Sequence, residues 1–267
     1  NRVKSIFRMG AVFITEGAEH CVIRNNVFTK CTKGIQVTGE HTLITGNRLD
    51  GPDHALWSRR GAKGGWGPIG IHIGIGNQEV CHNVIRNYLT TDSPYGSDGG
   101  AIELDDGRYH KKNLYIHHNH TEGNAGFLES SWTQDWNPEV QEVHNLRVAF
   151  NVSYDGQSFV YMHAPCHETV FDNNTVVRTK DYGSPLYGIF YTAFPGILLR
   201  NNVFVGKGTK KEPYLHSPVL HRKRVTWKNN WYWNVDSTDT TDGDPGFVDA
   251  AKGDFCLRDS SPLRGRG

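Results

Sequence analysis

The sequence predicts an all-β solenoid of stacked parallel strands. Three observations carry that prediction: a short phrase recurs along nearly the whole chain, apolar residues within it alternate with a period of two, and glycine and asparagine punctuate it. The first half of the phrase reads VIRNNVF (22–28), LITGNRL (43–49), EVCHNVI (79–85), YIHHNHT (115–121), RVAFNVS (147–153), VFDNNTV (170–176), LLRNNVF (198–204) and TWKNNWY (226–232). The second half reads GIQVTG (34–39), GIHIGIG (70–76), AIELDD (101–106), FLESSW (127–132), FVYMHA (159–164) and GIFYTA (188–193). A repeat of 21 to 36 residues cannot bury its own apolar face, so neighbouring repeats must stack to form a core.

The second-half segments are expected strands. Ile35 and Val37, Ile71 and Ile73, Ile102 and Leu104, and Val160 and Met162 each flank one residue that points the other way. The segments are short, rich in β-branched residues and bounded by Gly or Asn. Long stretches of helical period are absent. Strands that return so sparsely do not fit tight hairpins; they fit coils of two or three parallel strands each. Asn26, Asn47, Asn83, Asn119, Asn151, Asn174, Asn202 and Asn230 share one repeat position. An amide there is expected to tolerate a tight bend and to bond its counterpart one coil on. Asn119-His-Thr, Asn151-Val-Ser and Asn173-Asn-Thr also match the glycosylation pattern, but the position recurs where no such pattern follows.

The 267 residues suit one domain spanning 1–267, with about 236–267 as a closing segment. A net charge of +1 gives no reason to expect nucleic acid or a membrane surface as partner. No apolar run approaches the roughly 20 residues a bilayer requires. The start, NRVKSIFRMG, reads like the middle of a fold, so a leader or a further coil is expected to precede it. The five cysteines, Cys21, Cys31, Cys81, Cys166 and Cys256, form no C-x-x-C pair, which argues against a zinc or redox motif. They read mostly as core filler, with one bridge open to an exported protein.

The N-N-x-h and G-h-x-h repeats (h, apolar) resemble those of right-handed parallel β-helix proteins of bacterial carbohydrate metabolism, the pectate-lyase-like superfamily. The tail DGDPGFVDAAKGDFCLRDSSPLRG (242–265) is similar to the D-P-x-F-V-D…G-D-F-x-L…S-P segment that closes many of them. The resemblance implies a right-handed parallel β-helix, a secreted or periplasmic location, and a polysaccharide or oligosaccharide partner. It does not choose an activity, because the superfamily holds lyases, hydrolases, epimerases and phage tailspikes. An E-x-x-x-K-S lyase signature is missing after Glu103, where the chain reads ELDDGRYHKK, and GPDHAL (51–56) does not match the D-P-H-[DE] motif of alginate epimerases.

Aligning the strands on their inward pairs gives an outward column of Phe13, Gln36, His72, Glu103, Glu129, Tyr161 and Phe190. Two residues on, a second column reads Thr15, Thr38, Gly74, Asp105, Ser131, His163 and Thr192. The ends are bland, while His72, Glu103, Asp105, Glu129, Tyr161 and His163 crowd the middle; these are the predicted catalytic residues. Coils lie roughly 4.8 Å apart, so Glu103 and Glu129 are expected to stack and to raise one another's pKa. The polar Ser130 occupies an expected inward position, and a slip of one residue there turns Glu129 away from the face. A bland reading has these carboxylates bind a structural cation or be neutralised by Arg108, Lys111 and Lys112.

Inserts flank the same coils. Residues 51–68 bring Trp57, Arg59, Arg60 and Trp66, with GAKGGWG (61–67) suggesting a mobile lid; 90–100 bring Asp92, Tyr95 and Asp98. Residues 132–138 bring Trp132, Asp135 and Trp136, and 178–187 bring Arg178, Lys180, Asp181, Tyr182 and Tyr187. Tryptophans on polar loops make platforms for sugar faces, so Trp57, Trp66, Trp132, Trp136, Arg59, Arg60, Arg108 and Tyr182 are the predicted substrate contacts. The leading expectation is a glycoside hydrolase using Glu103 and Glu129, with Asp105 in reserve, His72, Tyr161 and His163 tuning them, and no cofactor. The alternative is a polysaccharide lyase or uronate epimerase in which the carboxylates hold Ca²⁺ and His72, His163, Tyr161 or Lys180 is the base. The third is a non-catalytic carbohydrate-binding solenoid.

Overall fold

The computed structural model describes residues 1–4, 10–52, 67–93, 96–105, 110–130, 142–180, 187–190, 196–207, 212–213, 215–216, 225–236 and 242–265. Three long sheets of parallel strands run through them, two of nine strands and one of eight, and each coil of chain visits all three. One coil shows the pattern: Val84–Arg86 lies in sheet 1, Gly100–Leu104 in sheet 2 and Lys111–His117 in sheet 3. The chain is therefore a parallel β-helix with three strands per coil.

Strand alternation sets what fills the centre. In sheet 2, Val12, Ile35, Ile71, Ile102, Leu128 and Val160 are in register, as are Ile14, Val37, Ile73, Leu104, Ser130 and Met162. Every member of these columns from Ile35 and Val37 onward is buried, and Phe28, Leu49 and Ile85 of sheet 1 and Ile44, Val80 and Ile116 of sheet 3 join them in one core. Parallel strands buried along a solenoid need such continuous apolar columns, each buried side chain contributing roughly 1.5–3 kcal/mol. Ser130 does not cause a slip: it is fully buried, and its Oγ accepts the Ala164 N–H at 3.0 Å. Gly34 and Gly70, each second in its strand, admit no side chain, because a Cβ there would sit 2.6 Å and 2.5 Å from the carbonyl oxygens of Gly70 and Ala101 on the next coil.

The eight asparagines form an unbroken ladder at the corner between sheets 3 and 1. Each backbone N–H and each Nδ2 donates to the Oδ1 of the next asparagine, from Asn26 to Asn230, at 2.9–3.1 Å. The bend itself differs from expectation. The left-handed backbone belongs to the preceding residue: Asn25, His82, His118, Phe150, Asn173, Asn201 and Asn229 all have φ between 53° and 56°. The ladder asparagine instead uses Nδ2 to reach backbone carbonyls as well, as Asn119 does with Val80. This second role explains why no other residue type substitutes for it.

A second polar knot lies deeper. Asp155, 2% exposed, accepts from the hydroxyls of Thr121 and Ser153 and from the backbone and side-chain N–H of Asn124. At the end of the chain, Phe247–Asp249 and Asp254–Leu257 form an antiparallel hairpin around the 3-10 turn Ala250–Lys252. Phe247, Phe255 and Leu257 pack with Val177 and Val205 of sheet 1, so the closing segment lies against that sheet. All five cysteines are free thiols, so the bridge left open by the sequence does not form. Among the described residues no helix is long and apolar enough to cross a membrane.

Candidate functional site

The outward column of sheet 2 runs through Phe13, Gln36, His72, Glu103, Glu129 and Tyr161, and the backbone of Ile189 pairs with that of Tyr161. Its last step corrects the expected alignment, which placed Phe190 opposite Tyr161. Gly188 sits opposite Val160, where a Cβ would lie 2.2 Å from the Val160 carbonyl oxygen, so the segment pairs one residue later than its glycine suggests. The ladder also fixes the second column: Thr38, Gly74 and Asp105 each donate their N–H to the preceding coil, to Ile14, Val37 and Ile73, and His163 donates to Ser130. Ser131 and Thr192 of that column lie outside the described residues.

The six predicted catalytic residues fall on this one face. Glu103 and Glu129 are directly paired on neighbouring strands. His72 pairs with Glu103 on the other side, and Tyr161 with Glu129. His163 brings Nε2 to 3.8 Å from Glu129 Oε1, with its ring 4.5 Å from that of Tyr161. Asp105 Oδ2 is 3.8 Å from His72 Nε2. The insert at 90–100 forms a two-stranded hairpin, Thr90–Ser93 with Gly96–Asp98, and delivers Asp98 to the carboxylates.

Lys33 is a member of the site that the columns did not reveal. It is 6% exposed, and its Nζ lies 2.7 Å from His72 Nδ1. An ammonium only donates, so Nδ1 accepts and the imidazole carries its proton on Nε2, the nitrogen nearest Asp105. Lys33 is also the cation that lowers the Glu103 pKa. One signal was legible: Lys33 shares the parity of Ile35 and Val37, and a lysine in an apolar column needs a partner. The expected neutralisers Lys111 and Lys112 stand elsewhere, on sheet 3 beside His110.

Electrostatics separate the two glutamates. Burial is the largest cause of the rise at Glu103, which goes well above the usual carboxylate range, and the charges of Glu129, Asp105 and Asp98 add to it. Glu129 is pushed up to about 8, by burial first and then by Asp98 and Asp105. The Glu129 charge acts on Glu103 as its largest electrostatic cause, so the first proton to leave the pair leaves Glu129. Glu129 also keeps 32% of its side chain in solvent, which suits the member that exchanges protons. Burial lowers the pKa of His163, leaving it neutral at pH 7. The face thus holds two carboxyls of raised pKa, of which Glu129 is the more readily ionised, beside a neutral imidazole.

Trp57, Arg59, Arg60, Trp66, Arg108, Trp132, Trp136 and Tyr182 lie outside the described residues. Two residues assigned to an insert belong inside the coil. Tyr187 is fully buried against Phe171 and Phe204, and Arg178 is 2% exposed with Nη1 donating to the Gly156 carbonyl at 3.3 Å. Their polar neighbours in sequence concealed the return of the chain to the core. No family model, no curated protein and no solved structure matches this chain.

Proposed function

We propose that the outward face of sheet 2 is the active site of a glycoside hydrolase acting on a polysaccharide or oligosaccharide. The observation that carries the reading is the direct pairing of Glu103 with Glu129 on adjacent parallel strands. Neighbouring strands lie about 4.8 Å apart, close to the roughly 5–5.5 Å between carboxyl groups in retaining glycosidases. Glu129, which ionises first, as pH approaches about 8, attacks the anomeric carbon in its ionised form. Glu103, which keeps its proton, delivers it to the departing glycosidic oxygen as the C–O bond breaks. Glu103 then takes a proton from water, and the resulting hydroxide displaces Glu129 from the sugar. Tyr161 and His163, beside Glu129, would bond sugar hydroxyls, and Lys33 holds His72 in one tautomer.

A second reading rests on a separate observation: Asp98 and Asp105 add two more carboxylates to the pair, and Lys33 is the cation that acts against them at Glu103. Such a set suits Ca²⁺, as a uronate lyase or epimerase would use it. The test is turnover on neutral and uronate polysaccharides, with and without EDTA, following reducing ends and near-ultraviolet absorbance. Reducing ends without absorbance, insensitive to EDTA and lost in Glu103→Gln and Glu129→Gln, support hydrolysis. Absorbance from an unsaturated product, abolished by EDTA, overturns it in favour of elimination. Sugar binding that survives both substitutions without any turnover overturns both enzyme readings in favour of a binding solenoid.

A further inference from the structure

A second cluster stands where the same three coils enter sheet 3. The coil of Glu103 supplies His110, the coil of Glu129 supplies Glu142 and His144, and the coil of His163 supplies His167. Strand register brings them together. The Lys111 N–H donates to the Glu142 carbonyl, which aligns those two coils, and His144 pairs with His167. One donor atom each of His110, Glu142 and His144 lie within 4.8 Å of one another. Glu142 Oε2 is the pivot, 2.7 Å from His144 Nε2 and 3.8 Å from His167 Nε2. The His144 and His167 rings stack 4.4 Å apart and 3° from parallel. His110 Nδ1 is shielded from solvent and has no hydrogen-bond partner among the described residues.

We propose that His110, Glu142 and His144 bind a divalent transition metal of the Zn²⁺ class, with His167 as the neighbouring fourth donor. Imidazole and carboxylate are the ligands such ions select, and a harder ion such as Ca²⁺ prefers oxygen alone. Metal–ligand bonds of about 2.0–2.2 Å place tetrahedral donors roughly 3.5 Å apart, so small side-chain rotations close the present spacing. The ion would tie three consecutive coils together directly beyond the strands that carry Glu103, Glu129 and Tyr161. A rival cluster, Cys81, His82 and His117, has donors as close. Two of its three members are already engaged by residues outside it: His117 Nε2 meets Glu79 at 3.0 Å, His117 Nδ1 meets His118 at 2.8 Å, and the Cys81 thiol reaches Thr45 at 3.3 Å.

The experiment is calorimetric titration of Zn²⁺ into the metal-free full chain, with Co²⁺ absorption as a report on ligand type. One equivalent of Zn²⁺ is expected, with a rise in melting temperature and a Co²⁺ spectrum free of thiolate charge transfer. Glu142→Gln and His144→Ala should each weaken binding roughly tenfold or more, while Cys81→Ala leaves it unchanged. Both substituted positions are partly exposed, and an unchanged circular dichroism spectrum certifies the fold. Absence of saturable Zn²⁺ binding overturns the proposal. So does binding that survives Glu142→Gln, or binding lost in Cys81→Ala. None of these readouts depends on sugar turnover.

Discussion

The asparagine ladder and the glutamate pair are built by the same rule and have opposite consequences. Both stack like planar groups at one-coil spacing. An amide carries a donor and an acceptor, so each ladder asparagine satisfies the next, in seven successive links. An ionised carboxylate carries acceptors only. Glu103 over Glu129 can be relieved by one shared proton, and their raised pKa values express that unmet demand. A repeat that stabilises the corner therefore costs stability on the face of sheet 2. A sequence that departs from its own repeat chemistry at such a cost marks a place selected for something other than folding.

The largest effects should come from removing the charge. Glu103→Gln and Glu129→Gln are each expected to lower turnover by roughly 10²–10⁴-fold, read as kcat/KM. The same substitutions should stabilise the fold. A carboxyl with a raised folded pKa keeps its proton after the unfolded chain has released it, near pH 4.3. Its contribution is thus intact below that pH and is lost as pH climbs through about 8. Melting curves of Glu129→Gln and the parent should coincide near pH 4 and separate by pH 8, with the variant higher by about 1–2 kcal/mol after allowance for solvent at Glu129. A variant that is less stable at pH 8 would show that the pair is not under strain. The ladder should respond in the opposite sense. Asn119→Ala orphans two buried N–H donors of Asn83, its backbone N–H and the Nδ2 hydrogen not engaged by the Ile44 carbonyl, at about 1–3 kcal/mol each. A loss of about 3 kcal/mol in urea unfolding, with no pH dependence, is expected.

What the sequence revealed follows from this contrast. The ladder, the inward pairs and the outward column from Gln36 to Tyr161 were legible because each depends only on period and parity. The left-handed residue was misplaced by one because Asn25-Asn26, Asn173-Asn174, Asn201-Asn202 and Asn229-Asn230 offer two candidates, and only Gly46, His82, His118 and Phe150 show which of the two bends. The alignment of Gly188 failed because close approach of a carbonyl, not apolar pattern, fixes that register. Lys33 was missed since its side chain crosses from a buried position to His72, two coordinates that no column joins. His110 and Glu142 immediately precede sheet 3 strands while His144 and His167 lie on them, over three different coils, so no linear spacing announces them.

Lys33→Met sharpens the comparison at intermediate cost. It removes the cation that opposes the carboxylates, so the Glu103 pKa rises further and the alkaline limb of the pH–rate profile moves to higher pH. His72 also loses the donor that fixes its tautomer. Turnover at neutral pH is expected to fall about tenfold, or roughly 1.4 kcal/mol. An unshifted profile would detach Lys33 from the site.

The smallest effect is expected at the start of the ladder. Asn26 donates its backbone N–H and Nδ2 to Asn47, but among the described residues no amide donates to its own Oδ1. Asn26→Ala therefore leaves no buried donor of a neighbour orphaned, and the Oδ1 of Asn47 keeps the backbone N–H of residue 26. Only one partly buried hydrogen bond is lost, worth about 0.5–1.5 kcal/mol. The ratio of the Asn119 and Asn26 effects is the informative quantity. A ratio near three means that the ladder acts through the satisfaction of buried donors. Equal effects would mean that each amide contributes only its own bond, and that the ladder differs from the glutamate pair in charge alone rather than in the matching of donor to acceptor.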